Sequence, residues 1–276
     1  MTREMETALL GLLGVLLAAS IGLHVHHLLT GAQAFWIGVT LIMTLFCLGS
    51  SLLLLGADGT VVFFVAGISL GLCFESLSIR TGFPFGPYYY TPLFGPGVFR
   101  VPFIIPLAWY VIVYLGYVMA NLMIERAPVV VSRAPNAIWL SLVGAGIVTA
   151  YDLAADPFMV RKIGAWVMLN PGDYFGEQLR GFGGWTLVSF LIALFARLIH
   201  RRIRIRPPAR PSVLAAAYPL LAYAVWWLFF SVAGYPRGTR VIALYAMGLP
   251  TLGALSGLLA WRRARAGEPR WTPEAL

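Results

Sequence analysis

The chain has 276 residues, of which 59% are hydrophobic and only 11% charged, with a formal net charge of +9. A soluble domain carries roughly 25% charged residues, so an ordinary water-facing surface is excluded over most of this chain. The excess of arginine does not point to nucleic acid, because the arginines stand between apolar segments, where such residues set membrane orientation.

In chain order, apolar stretches approach the roughly 20 residues that a spanning helix needs. They lie at 7–29, 34–56, 60–79, 102–124, 136–155, 183–199, 212–233 and 240–261. The predicted fold is an all-α integral membrane protein, a bundle of about eight transmembrane helices forming one domain over 1–276. Ala18-Ala19-Ser20 in the first stretch resembles a signal cleavage site. The stretch is long for that role and its basic start is weak, so it is expected to stay as a membrane helix. Cys47 and Cys73 lie inside apolar runs and are expected to be packing residues rather than a disulfide. Gly67-x3-Gly71 and Gly253-x3-Gly257 have the spacing that lets helices approach closely.

Arginine sets the expected orientation. Arg201, Arg202, Arg204, Arg206 and Arg210 follow the sixth stretch, and Arg262, Arg263, Arg265 and Arg270 follow the eighth. Eight crossings put both clusters on one side, with Arg126 and Arg133, and the positive-inside rule makes that side cytoplasmic. Both termini are then expected in the cytoplasm, in a multi-pass protein of the cell membrane. Arg80, Arg100, Arg161, Lys162, Arg180, Arg237 and Arg240 fall on the other side. That side also holds two connections, 80–101 and 156–182, far longer than the usual 4–6 residues. The first reads RTGFPFGPYYYTPLFGPGVFRV, too apolar for a solvated linker. It is expected to fold back as a lid or re-entrant segment, because irregular backbone at membrane depth needs protein or a cavity around it.

Three acids lie inside the predicted spans near these loops: Glu75, Asp152 and Asp156. Acids in a membrane are rare, costly and usually functional. Arg80, Arg161 or Lys162 could neutralise them in purely structural pairs, but several acids and both irregular loops converge at one depth. The i, i+4 spacing of Asp152 and Asp156 puts both side chains on one helix face. Two such carboxyls in a dry site do not both ionise, so one keeps its proton beside an ionised partner, an acid/base arrangement. Asp156 precedes Pro157, which predicts a helix end there. His24 and His27 share a helix face and are expected to form an interfacial polar cluster. With four histidines in the chain, a membrane di-iron centre is not expected, and no metal site is assigned. No glycine-rich nucleotide fingerprint and no strand pattern to support one are present, so flavin and nicotinamide chemistry are not expected. Any reaction is expected to run on side chains and water, without a cofactor. Tyr88, Tyr89, Tyr90, Trp109, Tyr110, Tyr151, Trp166, Tyr174 and Trp185 gather near the acids. About half are expected in the aromatic belt of the membrane interface, and the others can turn π-faces to a developing cation.

Two blocks make the chain recognisable. One is Glu75 followed by Thr81-Gly82-Phe83-Pro84-Phe85-Gly86-Pro87-Tyr88-Tyr89-Tyr90, continuing to Val101-Pro102, Pro106 and Trp109. The other is Asp152, Asp156-Pro157, Gly164-Ala165-Trp166, Gly172-Asp173-Tyr174-Phe175-Gly176 and Gly183-Gly184-Trp185. Over about residues 60–190 the chain resembles the multi-pass membrane carotenoid hydratases, of γ-carotene and bisanhydrobacterioruberin type. The resemblance implies addition of water across a terminal isoprene double bond of an acyclic carotenoid end, giving a tertiary alcohol. It implies Asp152, Asp156 and Glu75 as catalytic residues, with Tyr88, Tyr90, Trp109, Tyr151, Trp166, Tyr174, Trp185 and Arg80 around the substrate. The implied partners are a carotenoid of lycopene, γ-carotene or bacterioruberin-precursor type, the lipid bilayer and other enzymes of the carotenoid pathway; nucleic acid is not among them. Two positions depart from the resemblance: Gly181 stands where an asparagine is expected, and Met168 where a second tryptophan is expected. The alternatives are another membrane isoprenoid enzyme of prenyltransferase type and a lipid or carotenoid transporter. The first would need two aspartate-rich motifs and Mg²⁺, and the second would fit internal repeats, which the sequence does not show.

Overall fold

The computed structural model describes residues 2–33, 35–130, 134–202 and 211–267. Arg133, Arg204, Arg206, Arg210 and Arg270 of the orientation argument lie outside the described residues. The long helices are α1 (Arg3–Thr30), α2 (Phe35–Thr81), α3 (Ile104–Glu125), α4 (Ala134–Phe158), α5 (Leu179–Arg202) and α6 (Val213–Ala233), followed by α7 (Gly238–Ala246) and α8 (Gly248–Gly267). Seven helical segments, counting α7 and α8 as one, are long and apolar enough to cross a membrane. The fold is the all-α membrane bundle that the hydropathy pattern predicts.

The count of seven conceals an eighth crossing. A straight helix of 47 residues would be about 70 Å long, more than twice a hydrocarbon core. Instead α2 turns back at Gly56, whose φ of 75° and ψ of 177° lie in a region essentially reserved for glycine. Residues on both sides of the turn meet the same part of α3. Ser51 Oγ lies 3.1 Å from Tyr110 Oη, and the Phe63 and Phe64 rings both pack against Tyr110. Asp58 opens the second half, where a negative charge complements the helix dipole. Eight crossings put Arg3 and Gly267 at one end of the bundle, together with Arg126, Arg201, Arg202, Arg262, Arg263 and Arg265.

Small residues set the spacing of α2 and α3. A Cβ on Gly67 would lie 2.8 Å from the Tyr110 Cα, and one on Gly71 would lie 2.9 Å from the Trp109 ring. The Gly67-x3-Gly71 stripe thus brings the Trp109 indole under the turn that carries Glu75. Gly253 and Gly257 do the same for α8, against Met123 and the Leu122 backbone of α3. Of the cysteines, Cys47 is buried and Cys73 is exposed on the bundle surface, so Cys73 is not the packing residue expected. His24 and His27 lie near the C-terminal end of α1. They are buried among Phe35, Phe158 and Phe229, and each Nδ1 bonds a backbone carbonyl, at 2.7 Å from Ser20 O and Ala32 O respectively.

The two long loops close the opposite end. Four short strands occur in them, where no strand was expected: β1 (Tyr88–Tyr90), β2 (Gly97–Val98), β3 (Val101–Pro102) and β4 (Trp166–Met168). β1 pairs antiparallel with β4, Tyr88 opposite Met168 and Tyr90 opposite Trp166, so the two loops form one layer. Segments of two or three residues are too short to leave a periodic signature. Ser78 in the last turn of α2 fixes the layer to the bundle: its Oγ accepts from Phe85 N at 3.2 Å and donates to Gly86 O at 3.1 Å.

The Gly56 turn is a simple test of this chain path. Gly56→Val should cost about 1–3 kcal/mol, because a β-branched residue cannot adopt that conformation without strain. Thermal unfolding of the detergent-purified variant measures it. An unchanged midpoint would mean that the helix does not reverse there.

Candidate active site

A cavity of about 100 Å³ lies between the loop layer and the helix ends. From the loops it is lined by Phe85, Tyr88, Tyr90, Phe94, Trp166 and Met168; from the helices, by Trp36, Glu75, Trp109, Tyr151, Asp152, Asp156, Gly181 and Trp185 among others. A smaller cavity of about 50 Å³ shares Trp36, Thr40, Ala108, Tyr151 and Trp185 with it and continues past Val111 and Ile112 into the bundle. The chamber therefore has a polar head under the loops and an apolar extension along the helices.

Glu75 is buried, and ring donors surround its carboxylate. Trp109 Nε1 donates to Oε1 at 2.8 Å, Tyr90 Oη donates to Oε2 at 2.7 Å, and Tyr88 Oη donates to the same oxygen. The strand geometry explains the choice of tyrosines. Side chains alternate along β1, so Tyr88 and Tyr90 face inward while Tyr89 is half exposed. Burial, with Glu75 opposite, pushes both phenols well above their ordinary value, so they remain donors at any physiological pH. Three donors on one carboxylate match an ionised acid, each charge-assisted bond contributing about 1.5–3 kcal/mol. The cations that could have neutralised the acids are engaged elsewhere. Arg80 is exposed beside the Phe99 ring, Arg161 Nε donates to Phe175 O, and Lys162 lies over the Tyr235 ring.

Asp152 and Asp156 face Glu75 from α4, one turn apart. Pro157 does not end the helix as its position suggests; α4 continues to Phe158 and then widens into a π-helical turn, Met159–Ile163. A proline inside a helix leaves the carbonyl four residues earlier without its N–H donor. That carbonyl is Leu153 O, and the Tyr174 hydroxyl donates to it at 2.8 Å. Tyr174 thus holds the helix end that carries the aspartates and does not line the cavity. The Asp152 carboxyl is buried, and its Oδ2 meets no donor. Asp156 is buried, with the Trp166 ring and the carboxyl of Glu177 beside it.

Glu177 was not singled out in the sequence. It is 1% exposed, and burial pushes its carboxyl up to about 7 against the opposing pull of Asp156 and Arg161. Of the residues expected around a substrate, Tyr88, Tyr90, Trp109, Tyr151, Trp166 and Trp185 line the cavity, whereas Arg80 and Tyr174 do not. Trp109 is stacked between Phe85 and Trp185, with centroid distances of 5.7 and 4.3 Å.

Fold and site define a multi-pass helical membrane protein with carboxyl groups facing a largely apolar chamber. Residues 11–251 match the family described as carotenoid biosynthesis protein, and the chain belongs to that family. The match extends well beyond the 60–190 region that carries the motifs. A bisanhydrobacterioruberin hydratase from Haloarcula japonica is 29% identical over 121 residues, which are 44% of this chain and 39% of that protein. The aligned part is thus well under half of that relative's length. No solved structure matches the chain. The protein has a role in the carotenoid pathway.

Met168 and Gly181, the two positions where a tryptophan and an asparagine are expected from the resemblance, both line the cavity. A Cβ on Gly181 would meet only Phe85 O, at 3.3 Å, so a larger side chain there projects into the chamber. Gly181→Leu should reduce the carotenoid retained per mole of purified protein by roughly tenfold, a typical effect of misfit in an apolar pocket, at an unchanged unfolding midpoint. Pigment absorbance against protein content measures it; undiminished pigment would mean that the chamber does not hold the carotenoid.

Proposed function

We propose that the protein is a carotenoid hydratase that adds water across the terminal isoprene double bond of an acyclic carotenoid end, giving a tertiary alcohol. Substrates of lycopene, γ-carotene or bacterioruberin-precursor type fit this chemistry. The observation that carries the reading is one chamber in which an undonated buried acid, Asp152, faces a fully donated carboxylate, Glu75, between aromatic walls. The hydratase named in the comparison supports the reaction class.

The chemistry is redox-neutral and needs only acid, base and water. The hard step is protonation of an unactivated alkene. The Asp152 O–H bond breaks, the alkene π pair forms a C–H bond, and a tertiary cation remains. A carboxylic acid held neutral in a dry site can do this. The cation forms between the ionised Glu75 and the faces of Trp185 and Trp166, which stabilise it electrostatically. Water then attacks, the C–O bond forms, and the oxonium proton passes to Asp156. Transfer from Asp156 to Asp152, one helical turn away, restores the resting state. The first part of the polyene next to the reacting end enters the apolar extension past Val111 and Ile112.

Asp→Asn keeps shape and polarity but removes the transferable proton. Asp152→Asn and Asp156→Asn should each lower hydration by about 10²–10⁴-fold while the protein still accumulates in the membrane. Glu75→Gln should also be severe, because it removes the charge facing the cation. Pigment mass analysis in a lycopene- or γ-carotene-producing bacterium is the readout. Near-normal hydration by both aspartate variants would make the pair structural.

A further inference from the structure

The lid faces the chamber on one side only, and its outer side is strongly basic. Segments 80–103, 159–183 and 234–240 close this end of the bundle. Together they hold seven arginines and lysines but two acids, one of which is the buried Glu177. Arg161, Arg180 and Arg240 spend N–H groups on the carbonyls of Phe175, Gly82 and Gly234. Arg80 and Arg100 are exposed and bond no acceptor among the described residues.

These two arginines meet at the tip of a hairpin. β2 pairs with β3, Gly97 opposite Pro102 and Val98 opposite Val101, which leaves a turn of two residues, Phe99 and Arg100. Phe103 N donates to Pro96 O at 3.1 Å and closes the base. A Cβ on Gly97 would overlap the Val101 carbonyl, so the two strands touch backbone to backbone. Phe99 and Arg100 both have positive φ, 52° and 70°. Two-residue turns of that sign favour Asn-Gly, and a bulky residue rarely adopts such a φ. Phe99 nevertheless stands 58% exposed at the tip, with the Arg80 guanidinium 5.8 Å from its ring centre. A strained turn that turns an aromatic ring and an arginine outward points to a contact beyond the protein.

The chain fixes the depth of this tip. Arg80 lies in the last turn of α2, and Ile104 opens α3, both of them long and apolar enough to cross a membrane. Phe103, directly before α3, is also 58% exposed. The hairpin therefore lies where hydrocarbon gives way to lipid headgroups. Aromatic rings are favoured at that boundary, and arginine forks match phosphate oxygens. No acid in 80–103 competes for them. We propose that the Phe99–Arg100 hairpin, with Arg80 beside it, is a docking site for anionic phospholipid headgroups of the surrounding leaflet. Phe99 and Phe103 enter the acyl boundary, and the two guanidinium groups hold phosphate. Phe94 and Ile104, on either side of the hairpin, both line the chamber, so docking holds that chamber wall at the edge of the lipid. The proposal stands independently of the hydratase reading.

The test uses the full-length protein in an uncharged detergent, titrated with phosphatidylglycerol or with phosphatidylcholine. The unfolding midpoint should rise with phosphatidylglycerol, because a ligand that binds the folded state stabilises it, and should not rise with phosphatidylcholine. Arg80→Gln and Arg100→Gln should each increase the phosphatidylglycerol concentration needed for half the rise by about fivefold, and together by roughly 25-fold. Arg262→Gln with Arg263→Gln, at the opposite end of the bundle, should have a smaller effect. A spin label at Phe99→Cys, in a Cys73→Ser background, locates the tip in vesicles that contain phosphatidylglycerol. Dissolved oxygen should relax it more than a water-soluble nickel chelate does. An unchanged response in the Arg80 and Arg100 double variant, an equal loss in the opposite-end pair, or a label reached mainly by the chelate would overturn the proposal. Dipolar broadening between labels would also overturn it, by showing that a second copy of the chain covers the hairpin.

Discussion

A carboxyl group at membrane depth is stable only if it keeps a proton or is surrounded by donors, since lipid supplies neither water nor counter-charge. Most features of the closed end of this bundle follow from that constraint. Glu75 takes the second solution, with Trp109, Tyr88 and Tyr90 on its oxygens. Each donor has a structural cost elsewhere. Trp109 reaches it because Gly67 and Gly71 allow α2 and α3 to touch. The tyrosines reach it because two loops distant in sequence pair as β1 and β4 and turn alternate side chains inward. Asp152 takes the first solution, remaining without a donor on Oδ2. One fully donated carboxyl and one undonated carboxyl thus face each other across a chamber whose other surfaces are aromatic and aliphatic.

The same constraint accounts for the loop layer. Irregular backbone over an apolar chamber must find partners for its polar groups. Ser78 supplies them for Phe85 and Gly86, and the Thr91 hydroxyl bonds Gly164 O at 2.8 Å. Tyr174 supplies one for the carbonyl that Pro157 leaves open. Loops that are elsewhere solvated thus become a lid, which supplies six of the twenty residues lining the cavity.

Much of this was legible in sequence, for physical reasons. Spanning helices need long apolar runs, so all eight crossings stood out, including the two that Gly56 joins into one helix. Intramembrane acids are so costly that Glu75, Asp152 and Asp156 were conspicuous among apolar neighbours. Glu177 was not, because it lies in a polar, glycine-rich turn where an acid is unremarkable; its burial is created by the turn itself. The available signal was its place directly after Gly172-Asp173-Tyr174-Phe175-Gly176, a run already matched to the family. Pro157 misled because a proline after an acid suggests a helix end; the compensating hydroxyl comes from seventeen residues further on, at Tyr174. The inward exit of Tyr88 and Tyr90 depended on pairing with Trp166–Met168, a non-local contact that three-residue strands do not announce.

The central claim is that a side-chain acid protonates the carotenoid and that water supplies the new oxygen. The most direct measurement is product mass after reaction of the purified protein in water carrying heavy oxygen and deuterium. The account predicts one heavy oxygen and one non-exchangeable deuterium, the latter on the carbon next to the new alcohol carbon, and no label from heavy dioxygen. Oxygen derived from dioxygen, or an alcohol formed without deuterium on the neighbouring carbon, would contradict it.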